Sequence, residues 1–144
     1  MPLPPVLDRF LAAQEPVYER RVLAELTAGK KRSHWMWFVF PQYKGLGHSE
    51  MAARYAIQSR AEATSYLAHP VLGSRLRECC QLLLGLSTSA ATEVLGSPDD
   101  LKLRSSMTLF SAVAQAGADP VFDAVLAKYF AGEKDARTLE LLDA

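Results

Sequence analysis

Between Lys31 and Gln42 the chain reads Lys31-Arg32-Ser33-His34-Trp35-Met36-Trp37-Phe38-Val39-Phe40-Pro41-Gln42, which gathers both tryptophans beside a lysine, a histidine and a carboxamide. Each of these types has a chemistry. An imidazole with an ordinary pKa near ~6.5 gives and takes protons around neutrality, which makes His34 the candidate catalytic residue. An indole, Trp35 or Trp37, stacks on a planar base or faces a cation, Lys31 meets phosphate, and Gln42 polarises or orients a reacting group. The competing account of the block is a core segment whose rings are buried for their hydrophobic payload. On that account His34 is neutral and tied to a backbone group. The polar residues at both ends then require either an internal hydrogen-bond network or a ligand pocket, because indole N–H, imidazole and carboxamide need partners when buried.

A second cluster, Asp99-Asp100-Leu101-Lys102-Leu103-Arg104-Ser105-Ser106-Met107-Thr108, lies far along the chain. Helical spacing brings Lys102 near Ser105 and Ser105 near Thr108, a polar stripe suited to phosphate or sugar hydroxyls. Its alternative is a solvated face with hydroxyls bonded back to the helix, the stronger account for Arg104 and Ser106. Gly45-Leu46-Gly47 could offer N–H groups to an anion, but it lacks the length and lysine of a P-loop, so turn geometry explains it. No serine-centred nucleophile elbow occurs. His34, His48 and His69 have no tight ligand spacing and Cys79-Cys80 forms no metal motif, so neither a metal nor another cofactor is expected.

The elements that must carry these residues read as helices throughout, with no strict apolar–polar alternation of the kind strands show. Val6 to Gln14 forms the first. After Pro16, Tyr18, Val22 and Leu26 share a helical stripe that ends at Gly29. The aromatic block is open between one or two helical turns capped by Ser33 and a buried extended segment. Ser49 caps a short helix containing Met51, Tyr55 and Ile57, and Ser59 with Glu62 has capping-box spacing. Leu72, Leu76, Cys79 and Leu83 recur as a core face after Pro70. Ser97-Pro98-Asp99-Asp100 starts a helix with the stripe Leu103, Met107, Phe110, Ala114, and Asp119-Pro120 starts another with Phe122, Val125, Leu126 and Tyr129. Asp135 opens a terminal helix carrying Leu139 and Leu142. The fold class expected is therefore all-α, a compact multihelical arrangement in one domain spanning residues 1–144.

With 144 residues, 49% hydrophobic and 22% charged, the composition is that of an ordinary globular chain. Sixteen basic and sixteen acidic residues leave no net field to attract DNA, RNA or an anionic membrane. No apolar stretch approaches the ~20 residues of a spanning helix, and the N-terminal residues do not resemble a secretory signal. The adjacent cysteines disfavour a bridge, which points to the cytoplasm and to packed rather than reactive thiols.

The Lys31 to Gln42 block, His69-Pro70-Val71-Leu72-Gly73, and the run from Asp99 through Phe110 together resemble the bacterial and fungal domain-of-unknown-function family 1810 over almost the whole chain. The resemblance implies candidate site positions without assigned catalytic roles. Some relatives carry the label calpastatin, which would imply a protease inhibitor. Such an inhibitor is extended and largely disordered, whereas capped amphipathic helices run through this chain. Two functions follow. One is a small-molecule site for a nucleotide or an ADP-ribose-like phosphorylated compound, with Lys31 and Lys102 on phosphate, Trp35 or Trp37 on a base, Ser105 and Thr108 on hydroxyls, and His34 or Gln42 at the reacting group. The other is a helical protein-interaction module without catalytic activity, its partner unspecified.

Overall fold

Side-chain capping sets several of the helix starts. The computed structural model describes residues 7–115 and 117–143, and among them it holds ten α-helices, one π-helical turn and no strand. The expected all-α class holds. In order these are α1 (Asp8–Gln14), the π-helical turn (Tyr18–Leu23) running directly into α2 (Ala24–Ala28), α3 (Met36–Val39), α4 (Glu50–Tyr55) and α5 (Arg60–Ala68). Then follow α6 (Leu72–Gly85), α7 (Ala91–Leu95), α8 (Asp99–Val113), α9 (Val121–Phe130) and α10 (Ala136–Asp143). The start expected at Val6 lies outside the described residues.

Ser49 Oγ accepts from the Ala52 N–H, Ser59 Oγ from Glu62 and Asp135 Oδ2 from Thr138, each a first-turn donor that would otherwise be orphaned. The reciprocal half of the expected capping box is redirected: the Glu62 carboxylate accepts from the Gln58 N–H and from Arg9, not from Ser59. His69 Nδ1 accepts from the N–H groups of Val71 and Leu72, so an imidazole caps α6.

Three expectations change. Ser97 does not cap α8, which begins at Asp99 because the Asp100 and Leu101 N–H groups already reach the carbonyls of Gly96 and Pro98. Asp119 does not cap α9, because its carboxylate takes both Arg77 Nε and Nη2, at 2.6 and 3.0 Å. Ile57 lies beyond α4 and pairs with Tyr43 in an isolated parallel β-bridge. The Tyr18, Val22, Leu26 stripe is buried as expected, but through a π turn that the four-residue spacing does not distinguish from an α-helix.

The core is one continuous cluster centred where α5, α6, α8 and α9 meet. A line of rings passes through it, with Tyr55 6.0 Å from Phe10, Phe10 edge-on to Tyr66 at 5.1 Å, then Tyr66 to Phe110 at 5.3 Å and Phe110 to Phe122 at 5.9 Å. The α6 face of Leu72, Leu76, Cys79 and Leu83 is buried, as is the α8 face of Leu103, Met107 and Phe110, whereas Leu139 on α10 is exposed. Gln14 closes the polar seam beneath α3, donating to the Phe38 carbonyl at 2.7 Å and to the Tyr66 hydroxyl at 3.2 Å.

The α5–α6 junction depends on one missing side chain. A methyl group at Gly73 would stand 2.2 Å from the Leu67 carbonyl oxygen, inside van der Waals contact with backbone. Gly73→Ala should therefore destabilise the chain by about 2 kcal/mol, although alanine inside a helix ordinarily gains about 1 kcal/mol over glycine. A denaturant titration measures the sign directly; a stabilised variant would mean that α5 moves aside freely.

Candidate functional site

The site is built on the reversal that follows α2. Gly29 takes a left-handed conformation at φ +77°, and the Lys30 N–H returns to the Glu25 carbonyl, a glycine-ended helix of the Schellman type. The Lys31 N–H then donates to the Val94 carbonyl on α7 at 2.7 Å. The next residues close on Glu25. Its Oε1 accepts from the backbone N–H groups of Arg32 (2.6 Å) and Ser33 (3.0 Å) and from Trp35 Nε1 (3.0 Å), while Oε2 accepts from Ser33 Oγ (2.6 Å). Burial pushes this carboxyl up, but the donors from Ser33, Arg32 and Trp35 outweigh it and bring it down to about 2. Ser33 thus caps the carboxylate rather than α3, and the aromatic block contains one helical turn, α3.

The two tryptophans have different surroundings. Trp35 is 1% exposed, and its indole N–H is committed to Glu25. Trp37 is only partly buried. Above them the two polar clusters of the sequence meet at Asp99. Lys31 Nζ lies 2.9 Å from Asp99 Oδ2, and Lys102 Nζ lies 3.3 Å from Asp99 Oδ1. Lys31 also lies 5.3 Å from the centre of the Trp35 ring and Lys102 5.4 Å from that of Trp37. Asp99 was legible only as a helix-start acid, although its three-residue spacing to Lys102 is the signal that would have paired them.

Trp37 also lines a cleft of about 290 Å³, together with Gln42, Tyr43, Lys44, Tyr55 and Gln58. Its floor follows from the β-bridge, in which the Ile57 N–H donates to the Gln42 carbonyl at 2.9 Å and the Lys44 N–H to the Ile57 carbonyl at 3.0 Å. Gly47 allows the loop to lie against α4, since a methyl group there would stand 2.4 Å from the Ala52 Cβ. No carboxylate lines the cleft among the described residues, and Lys44 is exposed there. Two carboxamides, two phenols, an indole and an ammonium make it a donor-rich, aromatic, non-acidic surface. Tyr43, Lys44, Tyr55 and Gln58 belong to it although only the loop and helix spacing of that region were legible in advance.

The remaining candidates lie elsewhere. His34 is exposed and does not line the cleft. Ser105 Oγ donates to the Leu101 carbonyl at 3.3 Å. Thr108 Oγ1 donates to the Arg104 carbonyl at 2.8 Å and accepts from the Asp135 N–H at 2.9 Å, which ties α8 to the start of α10. Ser106, expected on a solvated face with Arg104, is instead buried, as are the ligand candidates Ser105 and Thr108, whereas Arg104 faces Glu133 and Asp135. Burial pushes the Cys79 thiol up to about 12 and Cys80 well above its ordinary range, so neither is a thiolate near neutrality.

A sequence profile described as a protein of unknown function (DUF1810) matches residues 4–142. The chain belongs to the DUF1810 family. It is similar to a solved structure, the conserved hypothetical protein Rv1873 from Mycobacterium tuberculosis, with 52% identity, a TM-score of 0.91 and 96% of each chain covered. No curated protein matches it. No described helix of this DUF1810 chain is long and apolar enough to cross a membrane.

Proposed function

We propose that the cleft beside Trp37 binds a small, planar, anionic molecule, with a mononucleotide as the best-fitting class. The observation that carries this reading is the meeting of Trp37 with Lys102 on one hand and with the non-acidic cleft of Gln42, Tyr43, Lys44 and Gln58 on the other. A base stacks on the indole, the carboxamides read its edge, and the ammonium groups meet its phosphate. The volume of about 290 Å³ stands at the small end of ligand pockets, which favours a mononucleotide over a compound of ADP-ribose size. Lys31 and Trp35 support the site from beneath through Asp99 and Glu25. Ser105 and Thr108, whose hydroxyls are bonded to α8, are not required by this reading, and no proton-transfer role is assigned to His34.

A thermal-shift series with nucleosides, nucleoside monophosphates, nucleoside diphosphates and ADP-ribose tests it. A ligand at a hundred times its Kd stabilises by about 2.7 kcal/mol, a rise of roughly 6–10 °C for a chain of this size. A concentration-dependent rise with monophosphates is expected, smaller or absent with ADP-ribose. A flat response to every compound would overturn the reading and leave the helical interaction module as the function to pursue.

A further inference from the structure

The ion pairs around Asp99 are unequal. Two ammonium groups share one carboxylate, but the Lys31 bond is short, at 2.9 Å, and its side chain is 8% exposed, whereas the Lys102 bond is 3.3 Å and its side chain is 26% exposed. Lys31 is also fixed through its own N–H to the Val94 carbonyl and by its place over Trp35. Lys102 is held at its backbone by α8, its N–H on the Pro98 carbonyl at 3.3 Å, but its partly exposed side chain reaches past Asp99 to the Trp37 ring, and that ring lines the cleft. Of the two acids at the start of α8 it is Asp99 that pairs with Lys102; Asp100 Oδ2 accepts from the Thr92 hydroxyl at 3.2 Å.

From this asymmetry, and resting on the mononucleotide reading, we propose that Asp99 is an internal competitor for the ligand's phosphate. It holds Lys102 beside Trp37 and releases it only to an anion stronger than a carboxylate. The exchange leaves no buried charge alone. Lys31 keeps Asp99 neutralised when Lys102 turns to the ligand, so one ion pair is retained inside and one is formed with the incoming group. A phosphate monoester carries close to two negative charges and three acceptor oxygens, and so draws the ammonium away; a carboxylate of single charge only equals Asp99 and gains nothing. Asp99 thereby makes the site selective for phosphate monoesters over carboxylates and over uncharged nucleosides. Lys102 becomes the phosphate contact, and Lys31 a positioning residue that holds Asp99.

The test titrates the four ribonucleoside 5′-monophosphates, their four parent nucleosides and inorganic phosphate, each separately, into the full chain and into Lys102→Met and Asp99→Asn. The unaltered chain should bind at least one monophosphate about tenfold more tightly than its nucleoside, the worth of one charge-assisted bond. Lys102→Met should erase that factor while leaving nucleoside affinity in place. Asp99→Asn removes the competitor and should tighten monophosphate binding and produce a response to inorganic phosphate that the unaltered chain lacks. If Asp99→Asn fails to fold because Lys31 has lost its partner, the double variant Lys31→Met with Asp99→Asn, which removes the competitor and its partner together, takes its place with the same expected outcome. A tenfold factor that survives Lys102→Met, or Asp99→Asn binding no better, overturns the proposal. Equal binding of nucleoside and monophosphate by the unaltered chain overturns it and leaves of the cleft reading only the stacking of a planar base; no binding of either overturns both, whereas tight monophosphate binding that Asp99→Asn does not improve overturns this proposal alone.

Discussion

Glu25→Ala should lower the stability of this chain by about 3–5 kcal/mol, the usual cost of leaving several buried donors without an acceptor. The carboxylate is 7% exposed and serves four donors at once: the N–H groups of Arg32 and Ser33, the Ser33 hydroxyl and the Trp35 indole. Alanine leaves them facing one another, and the loop that delivers Lys31 and α3 loses its fixed point. Glu25→Gln separates hydrogen bonding from charge. Its carbonyl oxygen can still accept the three bonds now made to Oε1, and the Ser33 hydroxyl can turn to accept from the new amide. A loss of about 1–2 kcal/mol is expected, the charge-assisted part alone. Equal losses for the two variants, measured by denaturant titration, would show that the charge rather than the acceptor geometry holds the loop.

The same carboxylate sets an acid window. Its folded pKa of about 2 lies below the ordinary 4.5, so the stability it contributes is complete above about pH 4.5 and is lost as pH falls towards 2. The shift corresponds to about 3 kcal/mol across that window. In Glu25→Gln this part of the acid destabilisation should disappear, so the two stability curves should cross between about pH 3 and 4, below which the variant is the more stable of the two.

The residues that were legible in the sequence are those whose signal is local. Ser49, Ser59 and Asp135 cap helices because a side-chain oxygen one turn from an N–H needs no distant partner, and the four-three-four spacing of Leu72, Leu76, Cys79 and Leu83 fixes a face without reference to the rest of the chain. The unreadable part is long-range. Asp119 has the sequence of a cap, yet a bidentate bond to Arg77, 42 residues away, outcompetes it. Glu25 sits in a short amphipathic helix where a glutamate ordinarily faces water; only the turn at Gly29, which folds Arg32 to Trp35 back over it, makes it a buried acceptor. Ser105 and Thr108 have the spacing of a ligand-facing stripe, but α10 packs on that side of α8 and encloses Thr108. The convergence of Lys31 with Lys102 was foreseeable as a pairing of two polar clusters, whereas the carboxylate that joins them was hidden by its second role at a helix start.

Trp35 and Trp37 make the same point and supply the strongest test of the site. The two are identical in type and separated by one residue, yet one turn of α3 sends the first to Glu25 and leaves the second between Lys102 and the cleft. Trp37→Ala should therefore reduce mononucleotide affinity about a hundredfold, the upper range for removing an aromatic stacking partner. Its cost in stability should be much smaller than that of Glu25→Ala, because Trp37 is only partly buried and makes none of the hydrogen bonds that hold the loop. Fluorescence separates the two indoles. In Trp35→Phe the remaining emission comes from Trp37 and should be quenched as nucleotide is added; in Trp37→Phe the emission of Trp35, held on Glu25, should not respond. Quenching of Trp35 alone would place the ligand away from the cleft. An affinity unchanged by Trp37→Ala would remove the stacking surface from the binding site, and with it the reason for assigning a planar ligand to this fold.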